Sequence, residues 1–195
     1  MGLRERFTAY AVGTAHVQLV EVPGWWTTRA AVERGLAARG WRAALSPADA
    51  DVLVVCGEPG ERLRAAIDRV WDQLPGPRAR VTARTADGAA EALTVAAGLL
   101  GDEGHQRADA ATRSSAFDDE SRAGHGDMGH DDMGRGDMGP AGIPLASGGA
   151  DRDGLEMDVL HVPLGPVLPH WPAGLVLRCS LQGDVVTAAH VEVLG

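Results

Sequence analysis

Methionine and histidine recur at fixed spacing between residues 125 and 139, where HGDMGHDDMGRGDMG divides into three five-residue units. The units are His125-Gly-Asp-Met128-Gly, His130-Asp-Asp-Met133-Gly and Arg135-Gly-Asp-Met138-Gly. Thioether sulfur and imidazole nitrogen on a flexible chain suit soft or borderline ions, and the intervening aspartates offer oxygen ligands to harder ones. His125, Met128, His130, Met133 and Met138 are therefore the candidate metal ligands, for copper or nickel. Against a preformed site, Arg135 stands where a third histidine would, and His105 is a distant third, twenty positions before His125. Composition favours a hydrophilic low-complexity tether, with metal handling as the alternative function.

The remaining reactive side chains are scattered. Cys56 and Cys179 belong to no Cys-x-x-Cys pair, so they form neither a disulfide framework nor an all-cysteine cluster site, and a reducing cytosol fits them best. Cys56 closes an apolar stretch, which points to a buried inert thiol. Gly57-Glu58-Pro59-Gly60 lies between a strand and a helix, where α/β sheets usually hold ligands. Neither a dinucleotide nor a P-loop glycine pattern is present, however, and Glu58 and Glu61 would repel phosphate, so a simple turn is expected. His16, His161, His170 and His190 show no ligand spacing, and no serine sits in a Gly-x-Ser-x-Gly setting. No catalytic residue can be assigned. Trp25-Trp26 follows a strand in a loop position, where aromatic surface commonly marks contact with a partner. Trp41 and Trp71 lie on patterned elements and are expected in or near the core.

These residues must be positioned by elements that the apolar pattern marks out. AHVQLVEV (15–22) alternates and is β-branched, so it reads as a strand ended by Pro23-Gly24. Thr27 or Thr28 can cap a helix through AAVERGLAARG, which Gly40 ends. WRAAL (41–45) reads as a short strand, and DVLVVCG (51–57) as a parallel strand buried on both faces. ERLRAAIDRVWDQL (61–74) carries Leu63, Ile67, Val70 and Leu74 on one helical stripe. RARVTA (78–83) is a further strand and GAAEALTVAAGLL (88–100) a small-residue helix. Strands alternating with helices imply an α/β fold over residues 1–100: a small, open, mostly parallel sheet with flanking helices. Residues 101–150 lack apolar periodicity and read as a disordered acidic linker. Within 151–195, LEMDVLHVPLG alternates, while LVLRCSLQ and VVTAAHVEVL flank a Gln-Gly-Asp turn as a β-hairpin. A lone hairpin is marginal in water, so this tail must pack on the first domain or on a partner.

Charge sharpens the division. The 195-residue chain has a formal charge of -9. Residues 101–153 hold 12 acids against 5 arginines, so the acidity belongs to the middle segment. No clustered positive face exists, which argues against nucleic acid as a partner. The longest apolar run, ALTVAAGLL, is far shorter than the roughly 20 residues that span a bilayer, and no secretory leader is legible. A soluble cytoplasmic chain is expected.

Two passages resemble neighbouring subunits of one class of machine. Ser46-Pro47, Ala50-Asp51-Val52, Gly57, Val70, Asp72-Gln73, Pro75 and Pro77-Arg78 stand in the frame of an "SP-x-x-ADV" strand followed by a helix ending in "V-x-DQ-x-P-x-PR". In that frame, residues 33–83 resemble the small iron–sulfur subunit of respiratory complex I and of membrane-bound NiFe hydrogenases. Gly165-Pro166, Pro169, Gly174, Leu177-Arg178 and Gly183-Asp184 give residues 164–195 a similarity to the opening hairpin of the large quinone-site or nickel-site subunit. The resemblance implies an accessory or assembly subunit of such an oxidoreductase, placed on the cytoplasmic face and held at the membrane through its partners. It also implies a tetranuclear cluster, which needs four thiolates. Trp25-Trp26 stand where the family's paired cysteines would be, and Arg84-Thr85-Ala86-Asp87 occupy the loop of a third. No iron–sulfur cluster is therefore expected, and the chain contributes docking surfaces instead. The partner-facing residues on this reading are Trp25, Trp26, Pro166, Trp171 and Arg178.

Overall fold

A computed structural model describes residues 13–123, 147–150 and 156–195. The first half is β1 (His16–Glu21), α1 (Trp26–Arg39), β2 (Arg42–Ala43), a 3-10 turn at Pro47–Asp49, β3 (Val52–Cys56), α2 (Glu61–Gln73), β4 (Ala79–Ala83) and α3 (Ala89–Gly101). Its four strands pair in parallel in the order β2-β1-β3-β4. This is the α/β architecture that the alternation of strand and helix patterns implies.

Alternation in the strands sorts their side chains onto two faces. Val17, Val52, Val54, Cys56, Val81 and Ala83 face α1 and α3, where Val32, Leu36, Leu93 and Ala96 complete one core layer. Val20, Val22, Leu53 and Val55 face the other way, against Leu63 and Ile67 of α2 and Leu74 at its end. β3 is buried along its whole length, as expected of a central strand covered on both faces. The small residues of α1 and α3 allow those helices to approach closely. A Cβ added at Gly35 would lie 2.6 Å from Leu93 Cδ1, so any side chain there would have to displace the end of Leu93.

Three local expectations are corrected. Neither Thr27 nor Thr28 caps α1: the helix begins one residue earlier, Trp25 is the cap residue without a side-chain bond, and Thr28 is buried within the helix. The strand expected over 41–45 shrinks to Arg42–Ala43, while Trp41 turns into the core. The disorder expected from residue 101 onward does not begin there. Residues Glu103–Ala123 form a helix, α4, whose start is bound to the first domain.

Composition concealed that helix because its attachment is polar. The Gln106 side chain brackets the backbone of Arg78, accepting from its N–H at 2.9 Å and donating to its carbonyl at 2.9 Å. Arg78 donates through Nε and Nη2 to the Asp109 carboxylate, at 3.0–3.2 Å, and through Nη1 to the carbonyls of Trp71 and Leu74. Its guanidinium also lies 3.9 Å from the centre of the Trp71 ring. Only 3% of Arg78 is exposed, and each contact offsets part of the cost of burying its charge.

The tail is larger than a hairpin. β5 (Ser147–Ala150), β6 (Glu156–Leu164), β7 (Leu175–Gln182) and β8 (Val185–Val193) form an antiparallel sheet in chain order. An irregularity in the β7–β8 pairing falls between Ser180 and Leu181. The sheet packs on the first domain: Val176 and Leu194 are buried in the α2-side core, and the Gly60 N–H donates to the Gly195 carbonyl at 3.0 Å. Arg62 of α2 meets Glu192 of β8 at 2.7 Å.

Candidate functional site

The carboxyl ends of parallel strands are the default place for a ligand in such a sheet. Three loops meet there, at residues 22–26, 57–60 and 84–88. Gly57 follows β3 with φ of +110°, a conformation costly for any other residue. That geometry brings the indole of Trp25 against the glycine: a Cβ built on Gly57 would lie 2.5 Å from Trp25 Cγ. Trp25 is half-buried and packs on the α2-side core, while Trp26 on the first turn of α1 is 67% exposed. Glu58 and Arg84 pair across the same rim at 2.8 Å. Pro23 approaches Gly174, where an added Cβ would lie 2.8 Å from Pro23 Cγ. The strand-end crevice is thus filled from within by an indole and flanked by the tail.

The thiol beneath this rim is quiet. Cys56 has no solvent exposure, and burial pushes its pKa up to about 12, with Arg29 opposing and Glu21 and Glu33 reinforcing the shift. A protonated thiol inside a strand is a poor nucleophile and a poor metal ligand. Arg29 bridges Glu33 at 2.9 Å and Glu21 at 3.4 Å, which makes this charge cluster an internally satisfied one.

The cluster that the family resemblance implies does not fit these residues. Four thiolates are required, the chain holds two cysteines, one is protonated in the core, and Trp25 fills the space beside Gly57. Among the described residues there is no group of three or more His, Cys, Asp and Glu side chains able to hold a metal ion. The pentad ligands His125, Met128, His130, Met133 and Met138 lie outside the described residues. No helix among the described residues is long and apolar enough to cross a membrane.

The tail residues singled out by sequence take different positions. Gly165-Pro166 is a cis peptide, Pro166 is half-buried, and the Trp171 indole N–H closes the loop on the Leu175 carbonyl at 2.7 Å. Trp171 therefore holds its own loop together. Arg178 is exposed and paired with Glu192 at 2.9 Å. Glu192 is held below the usual carboxylate range by hydrogen bonds, first from Arg62 and then from Arg178.

A surface that sequence reasoning did not single out lies on the tail sheet. Its register aligns Leu164 with Leu177 and Val191, Leu160 with Leu181 and Val186, and Leu175 with Val193. Paired residues share a face, so these rows build one apolar face. Leu160, Leu164, Val186, Val191 and Val193 are all exposed on it. The opposite face carries Val176 and Glu192 and is the one docked on the first domain. The alternation in residues 185–193 was the available signal, since both of its faces contain apolar positions and only one can meet α2. Compared with protein-family models and with curated proteins, the sequence matches none.

Proposed function

We propose that this protein is a non-catalytic accessory or assembly subunit of a complex I-like or membrane hydrogenase-like oxidoreductase, contributing docking surfaces without an iron–sulfur cluster. The observation that carries this reading is the indole of Trp25 packed on Gly57, at the strand ends where the resemblance would put paired cysteines. A site filled by the chain's own aromatic ring offers a partner shape and apolar area in place of redox chemistry. Two exposed features supply that area: Trp26 at the rim and the apolar face of the tail sheet. Exposed apolar rows beside β8, an edge strand among the described residues, suit sheet-on-sheet contact or strand addition by a neighbouring subunit. On this reading the protein sits on the cytoplasmic face, attached to the membrane only through its partners.

The test is affinity capture of the tagged full chain from detergent-solubilised membranes of its native host. Recovery of other subunits of one oxidoreductase supports the proposal, and Val191→Asp should lose them while its melting temperature stays that of the parent. Recovery of the protein alone, from membranes that contain the intact complex, would overturn it.

A further inference from the structure

The docked face of the tail sheet does not all lie against the first domain. Beyond Val176 and Glu192 it opens into a hollow of about 390 Å³, within the size range of small-molecule sites. The walls are the side chains of the next two rows of that face: Pro163 and His161 on β6, Arg178 and Ser180 on β7, Ala188 and His190 on β8. Val162, Cys179 and Ala189 lie between these rows and supply a backbone floor, because their own side chains point to the other face. Small residues, Ser180 and Ala188, thus sit between larger ones, which is why a flat sheet has a depression here.

The polar groups on the rim share one character. Arg178 is permanently charged, His161 and His190 present ring nitrogens, and the Ser180 hydroxyl lies 3.0 Å from His161 Nδ1. Among the described residues no acid lines the hollow. Glu192, which borders the hollow through Arg178, already answers two guanidiniums, Arg62 and Arg178, so this trio carries one positive charge in excess. Arg178 gives its Nε and Nη2 to a single oxygen of Glu192, and a guanidinium has five N–H donors, so further donors remain for a second acceptor. The rest of the lining is carbon: the proline ring, the alanine methyl and the imidazole faces.

We infer that this hollow binds a small carboxylate with an apolar body, its carboxylate taken by Arg178, Ser180 and the two histidines and its body laid against Pro163 and Ala188. The inference goes beyond the docking role and does not depend on it, since the hollow and the apolar face lie on opposite sides of one sheet. Fork-shaped donors match a carboxylate, and the volume exceeds what the carboxylate alone would fill.

Benzoate is the probe, titrated into the full chain while the His161 and His190 ring protons are followed by NMR. Saturable binding at roughly millimolar concentration, moving both signals, is expected. Ala188→Leu fills the hollow without removing a polar group and should abolish the response at unchanged melting temperature. Arg178→Gln should weaken binding about tenfold or more. Benzylamine, which has the same body and the opposite charge, should not bind. Absence of saturable benzoate binding, equal binding of benzylamine, or benzoate binding that survives Ala188→Leu would each overturn the assignment.

Discussion

Alkaline titration isolates Cys56 unusually well in this chain. There is no lysine and a single tyrosine, Tyr10, so between pH 9 and 12 few groups other than thiols change charge. Arginine stays protonated throughout. In the unfolded chain Cys56 has its ordinary value of 9, and in the folded protein burial raises it to about 12. Above pH 9 the unfolded state releases a proton that the folded state keeps, so the folded state loses ground as pH rises. The contribution is fully present below pH 9 and disappears toward pH 12. Across that window each pH unit removes about 1.4 kcal/mol, so stability at pH 10.5 should lie about 2 kcal/mol below its value at pH 8 from this group alone. The measurement is urea unfolding from pH 8 to 11, with Cys179→Ser as the parent so that Cys56 is the one thiol left. Cys56→Ala in that parent will be less stable at every pH because it leaves a cavity, but its curve should lack the alkaline slope. Parallel curves for the two proteins would refute the reasoning, because they would mean that Cys56 ionises as readily in the folded protein as in the unfolded one.

Three further outcomes test the other contacts. Asp109→Ala leaves a guanidinium that is almost wholly buried with no carboxylate partner, so it should cost about 3 kcal/mol in urea unfolding and free the start of α4 to rapid amide exchange. Gly57→Ala combines a φ of +110° with a Cβ 2.5 Å from the Trp25 ring; a loss of roughly 1–3 kcal/mol and a changed tryptophan emission are expected, and unchanged emission would mean that the ring does not rest there. Glu192 has its pKa lowered by Arg62 and Arg178, so its link between the tail and α2 is present above the usual carboxylate range and is lost as pH falls through the folded value. The protection of β8 amides, measured against their intrinsic exchange rates, should fall in acid in the parent, and Glu192→Gln should remove that dependence.

Much of the fold was legible because the signals that specify it are local. The five buried residues of β3 read as a continuous apolar run, and the Leu63–Ile67 stripe of α2 reads at helical spacing. Gly40 was legible as a helix end because only its backbone freedom mattered, and it adopts φ of +74°. What escaped depends on partners distant in sequence. Nothing within residues 101–113 announces an anchored helix, since Gln106 and Asp109 gain their meaning from Arg78, about thirty positions earlier. The hollow on the tail sheet escaped for the same reason: His161, Ser180 and His190 come from three strands and become neighbours only through the register. Spacing along one strand could not reveal them.

Several of the positions that carry the resemblance hold the framework. The Asp51 carboxylate accepts from the His16 backbone N–H at 2.8 Å, tying the start of β3 to the start of β1. Ser46-Pro47 opens the 3-10 turn that leads into β3, with the Asp49 carboxylate at 3.1 Å from His16. Gly57 admits the Trp25 ring, and Arg78 ties α2, β4 and α4 together. None of these contacts needs a cofactor. A framework with such internal ties holds its shape without a redox centre, and at the strand ends the Trp25 indole occupies the space beside Gly57. That makes Trp25 the residue on which the docking proposal turns. Placing cysteines at positions 25 and 26 would not create a four-thiolate site, because the loop at residues 84–88 is braced by the Arg84–Glu58 pair and the Thr85 hydroxyl that accepts from the Gly88 N–H, with no thiol to offer.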